Sequence, residues 1–73
     1  MNMRKPVGDI PAGSIVKMGG NFYEISDLEA GFSHVQLIAV ALTGNKWMSK
    51  STLPGENPIV EIETLVEMIQ LAV

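Results

Sequence analysis

His34 is the single histidine of this 73-residue sequence, and cysteine is absent. Those two facts bound the chemistry the chain can do. Acyl transfer needs a nucleophile, a base and an acid that orients the base. Serines and threonines are present, but no motif sets one beside His34, which reads as a polar residue at a strand edge. The lack of cysteine removes a thiolate nucleophile, a disulfide framework and a cysteine zinc site together. Asp27, Glu29 and His34 are the one nearby set with metal-ligand character. A single imidazole with two carboxylates is a thin donor set. Glu61, Glu63 and Glu67 could do acid–base work as carboxylates, but their spacing suits a solvated face. Gly19-Gly20 has neither the lysine nor the following helix of a phosphate loop. It reads as a turn. The expectation is a protein with no enzymatic activity, no cofactor and no metal.

Residue types suited to recognition lie elsewhere. Arg4 and Lys5 stand beside Pro6, Val7, Asp9 and Ile10. An apolar strip rimmed by cations suits an extended contact with a protein, or addition of a strand to an exposed sheet edge. A frayed terminus is the competing reading. Tyr23 and Trp47 either fill a thin core or anchor an interface, where tyrosine, tryptophan and arginine are enriched. The predicted protein-binding set is Arg4, Lys5, Val7, Asp9, Ile10 and Tyr23.

Charge sharpens the choice of partner. Residues 1–50 hold all five cations against four acids, and residues 51–73 hold four glutamates and no cation, for a net −3. A grip on nucleic acid scales with the phosphates neutralised and needs a dense basic face. Five scattered cations favour a protein partner, with direct nucleic-acid contact weak or absent. Pro6, Gly8, Asp9, Pro11 and Gly13 interrupt any secretion signal, and the longest apolar run, Leu37 to Leu42, has six residues. A membrane helix needs about 20, so no membrane span is expected.

The elements that must position these residues read as follows. The chain suits one domain, with residues 1–11 as an N-terminal arm. Ser14 to Met18 and Phe22 to Ser26 are β-type runs around Gly19-Gly20-Asn21, a hairpin signal. Asp27 to Ser33 reads as a loop. His34 to Leu42 has apolar residues at both parities, which suits a central strand. Thr43-Gly44-Asn45 marks a second hairpin, leading into Lys46 to Lys50 with Trp47 and Met48 half-buried. Ser51 to Pro58 is a loop, and Ile59 to Ile62 a short closing strand. Ile62, Leu65, Val66 and Ile69 repeat at helical spacing, predicting a helix over 63–73. A strand carried on to Val66 competes with it. The fold class is therefore mainly β: a small curled antiparallel sheet or an SH3-like, partly open barrel, with that C-terminal helix. Ile10 to Val16, followed by Gly20 to Ile25, resembles the opening hairpin of SH3-like barrels.

The length, the Met1-Asn2-Met3-Arg4-Lys5 start, the hairpins and the acidic end together resemble small transcription regulators of Xanthomonas-infecting phages. That resemblance implies a monomeric regulator in the host cell cytoplasm that binds bacterial RNA polymerase near the start of its largest subunit. It implies inhibition of σ-dependent initiation and promotion of antitermination. Two alternatives stand beside it: a nucleic-acid-binding SH3- or OB-like module resembling the first domain of translation elongation factor P, and a phage structural assembly module.

Overall fold

A computed structural model describes residues 3–29, 33–50 and 55–72, with the backbone alone for 27–29. Seven strands are present among them: β1 (Arg4–Pro6), β2 (Ile15–Met18), β3 (Asn21–Glu29), β4 (His34–Thr43), β5 (Lys46–Ser49), β6 (Ile59–Glu61) and β7 (Leu65–Gln70). A single 3-10 turn covers Val7–Asp9. Every pairing is antiparallel, in the order β1-β7-β2-β3-β4-β5, with β6 added on β4. The result is one curled sheet that does not close.

Two hairpins come straight from glycine. Gly19 and Gly20 both have positive φ, which brings Met18 opposite Asn21. Gly44 has φ +65° and Asn45 does not, the pattern of a turn whose first central residue is the mirror-image one, and Thr43 then faces Lys46. Both arrangements match the right-handed twist of the flanking strands.

The expected central strand is β4. One of its edges takes β3, and the other is divided between β5 and β6. The join between those two is made by single groups. Lys50 N–H donates to Ala39 C=O, Asn57 Oδ1 accepts from Ala39 N–H, and Pro58 C=O accepts from Leu37 N–H. A buried backbone without such partners would cost free energy comparable to a lost hydrogen bond.

The core lies inside the curl. Val7, Ile10, Val16, Tyr23, Ile25, Leu37, Ala39 and Val66 form its buried cluster, with Met18, Val35, Val60 and Met68 packed against it. Ile15 and Val40 are also buried, outside that cluster.

Three expectations need correction. Residues 65–70 form a strand, not a helix, and β7 sits inside the sheet between β1 and β2. The apolar spacing was ambiguous because Leu65 and Ile69 are exposed, while Val66 alone of that stripe is fully buried. Two flanking ladders outweigh the helix propensity of Leu65, Glu67, Met68 and Gln70. The predicted 27–33 loop begins later than expected, since β3 runs on to Glu29, opposite Val35, across a register irregularity. Met48 is 52% exposed, not half-buried.

The N-terminal segment belongs to the sheet. Arg4–Pro6 pairs with β7, and Val7 N–H and Gly8 N–H donate to Thr64 C=O and Ile62 C=O. Among the described residues no helix is long and apolar enough to cross a membrane.

Candidate binding surface

The six residues selected from sequence are divided by the fold. Val7 is 1% exposed, Ile10 6% and Tyr23 9%, so all three serve the core. Their side chains do not present a contact surface. Arg4, Lys5 and Asp9 are exposed. Arg4 lies opposite Glu67 and Lys5 opposite Val66, so neighbouring positions on β1 direct their side chains to opposite faces of the sheet. Asp9 sits in the 3-10 turn. The six therefore do not form one patch.

The free edge of β1 is poorly suited to adding a strand. Met3 C=O accepts from Met68 N–H, and Val7 N–H donates to Thr64 C=O. Hydrogen bonding alternates along an antiparallel pair, so Lys5 also faces β7 while Arg4 and Pro6 face outward. Proline has no N–H to offer. The outward edge of β1 therefore carries one amide donor, that of Arg4. A short edge strand bearing cations and proline is a common guard against strand addition.

A different surface emerges across the strands. Arg4 on β1 lies opposite Glu67 on β7, Glu67 opposite Lys17 on β2, and Lys17 opposite Phe22 on β3. Lys17 Nζ stands over the Phe22 ring, 5.5 Å from its centroid. The Phe22 and Trp47 rings are 5.2 Å apart and tilted by 46°. Trp47 Nε1 then donates to Gln70 Oε1 at 3.1 Å, linking β5 to β7. A transverse row of charge, opposite charge, charge and aromatic thus runs over the outer face. Arg4, Lys17, Leu65 and Glu67 also line an open cleft of about 400 Å³ together with Met18, Gly19 and Gly20.

Sequence reasoning missed this row for a simple reason. Its members are far apart in the chain, and strand order alone makes them neighbours. One local signal was available: Lys17 and Phe22 flank the Gly19-Gly20 turn at positions that a two-residue hairpin must place opposite each other.

Contrary to the sequence reading, a serine does lie beside His34: the ring is half-buried and its Nδ1 is 2.9 Å from Oγ of the adjacent Ser33. The side chains of Asp27 and Glu29, the companions considered for a metal site, lie outside the described residues. Among the described residues no group of three His, Asp or Glu could hold a metal ion.

Neither a protein-family model, nor a curated protein sequence, nor a solved structure matches this chain.

Proposed function

We propose that the chain is a non-enzymatic domain that binds another protein, and that the partner is bacterial RNA polymerase. The observation that supports protein binding is the Arg4–Glu67–Lys17–Phe22 row. Its acid lies between its two cations. A phosphate backbone drawn to Arg4 and Lys17 would meet the Glu67 carboxylate, whereas a protein surface can offer the matching alternation of sign and an apolar neighbour for the rings. Electrostatic complementarity of that kind sets register and suppresses wrong partners.

The chain-wide resemblance to small phage transcription regulators supports polymerase as the partner. On this reading the protein acts in the host cytoplasm, contacts the N-terminal region of the largest subunit, interferes with σ-dependent initiation and promotes read-through of terminators.

The test is capture of purified bacterial RNA polymerase by the immobilised chain. Deleting residues 1–11 would remove Val7 and Ile10 from the core, so a change of surface charge is the sounder variant. Of such changes, neutralisation by Arg4→Gln with Lys17→Gln sets no like charge opposite Glu67; it should leave the circular dichroism spectrum unchanged and weaken capture about tenfold or more, the loss expected for rim charges that steer docking. Unchanged capture would remove the row from the interface. No capture by the unmodified chain would end the polymerase reading.

A further inference from the structure

The sheet has a second free edge, which is short and carries cations like the first but has no proline. Among the described residues β5 pairs with β4 alone. The two-residue turn makes Thr43 and Lys46 a hydrogen-bonded pair, and Lys50 N–H donates to Ala39 C=O at the other end. The alternation of an antiparallel ladder then turns Lys46, Met48 and Lys50 toward β4 and leaves the N–H and C=O of Trp47 and Ser49 pointing outward. No proline or bulge interrupts Lys46–Ser49. Two complete donor–acceptor sets are therefore offered to an incoming strand.

The side chains along this edge say what would cover it. Lys46, Met48 and Lys50 share one face, with cations at the ends and an exposed apolar residue between them. Trp47 and Ser49 share the other. We propose that β5 receives an extended segment of a protein partner as an added antiparallel strand, acidic at both ends and apolar at the centre. The segment would set carboxylates opposite Lys46 and Lys50, an apolar side chain opposite Met48 and a β-branched one opposite Trp47. Opposite-charge and aromatic–β-branched cross-strand pairs are the favourable combinations at those positions. This deepens, and rests on, the reading of the chain as a protein-binding domain.

Two other occupants fit less well. A second copy of the chain, pairing β5 with β5 about Met48, would set Lys46 of one copy opposite Lys50 of the other, twice. Like charges directly opposite are destabilising. The acidic β6 edge of another copy is only three residues long, and its Glu61 C=O already accepts from Thr64 N–H. Glu56 shares a cleft with Lys50, so Lys46 should carry the larger part of the charge preference.

Trp47 is the single tryptophan and stands on the edge itself, so binding can be read without a label. The probe is the end-capped peptide Gly-Glu-Ser-Ile-Val-Glu-Gly, whose valine falls opposite Trp47 and whose two glutamates fall opposite Lys50 and Lys46. The full chain is titrated with it, following indole fluorescence and the amide NMR spectrum. The expected result is a saturable fluorescence change, with the Trp47 and Ser49 amides shifted and their hydrogen exchange slowed at least about tenfold, as new hydrogen bonds require.

Replacing both glutamates by lysine, or N-methylating the valine, should weaken binding about tenfold or more. Lys46→Glu with Lys50→Glu should reverse the preference between the two peptides. Ser49→Pro, which removes an outward N–H that bonds nothing within the sheet, should abolish binding. The methylated peptide makes the same point with no change to the protein.

Absence of binding at millimolar peptide, equal binding of the lysine peptide, or binding that leaves the Trp47 and Ser49 amides unmoved would each overturn the proposal. So would concentration-dependent dimerisation that protects those same amides. The peptide measurement involves no polymerase. Capture of polymerase without peptide binding rejects the edge alone, and peptide binding without capture rejects polymerase alone.

Discussion

Asn57 Oδ1 accepts the Ala39 amide hydrogen at 2.9 Å, across 18 positions of sequence. The bond falls where β5 has ended and β6 has not begun on the same edge of β4. A side chain there does what a neighbouring strand would otherwise do. Asn57→Ala leaves a part-buried N–H unpaired and should cost about 1–2 kcal/mol. Asn57→Asp keeps an acceptor and should cost much less at neutral pH. Urea unfolding of the two variants checks the contrast; equal losses would show that the amide oxygen is not the group that matters.

Ser14 ties the end of the sheet to its beginning. Its side chain is fully buried, and its Oγ accepts from Ala72 N–H at 2.9 Å, 58 positions away. Ser14→Ala should lower stability by about 1 kcal/mol and speed hydrogen exchange at Ala72 more than at Val66. Stability equal to that of the unmodified chain would mean that the bond contributes nothing net.

Gly8 is required for space. A Cβ built there would stand 2.7 Å from Ile62 Cβ and 3.2 Å from Ile62 C=O, the acceptor of the Gly8 N–H bond. Gly8→Ala should therefore destabilise by about 1–3 kcal/mol, the range of an overpacked contact. Adding Ile62→Ala should not restore the loss, because alanine keeps the Cβ that collides. Thermal unfolding of the single and double variants decides this, and full rescue by Ile62→Ala would contradict it.

β7 distinguishes a strand from a helix by substitution. Val66 is 1% exposed and Leu65 57%. In the strand, Val66→Ala should cost about 2 kcal/mol from lost burial and the cavity it leaves. Leu65→Lys should fall within about 0.5 kcal/mol of neutral, as exposed substitutions do. A helix packed by its 62, 65, 66 and 69 stripe would make both changes costly. Denaturation midpoints of the two variants separate the cases.

The candidate site was legible only in fragments. Arg4 and Lys5 stand out in the sequence as cations beside an apolar strip, and both are exposed. The strip itself, Val7 and Ile10, is core, because the apolar character that suggests a contact surface equally suits an inward anchor. Trp47 was readable as either core or anchor. Its ring contact with Phe22 and its bond to Gln70 depend on three strands meeting.

By itself the sequence determined the β class, the absence of cysteine chemistry and both tight hairpins. Each depends on residues acting within a few positions: paired glycines that accept positive φ, β-branched and aromatic runs, and residue types simply missing. The tertiary structure decided the rest. Residues 65–70 are a strand because β1 and β2 flank them. The outward edge of Arg4–Pro6 is guarded by its own proline, while among the described residues that of Lys46–Ser49 has no strand beside it. A backbone group is spent or free according to the strand beside it, and that strand is set by the path of the whole chain. The absence of catalytic equipment proposed for this protein came from composition. The place where a partner strand could join it came from a sheet edge that, among the described residues, is unpaired and free of proline.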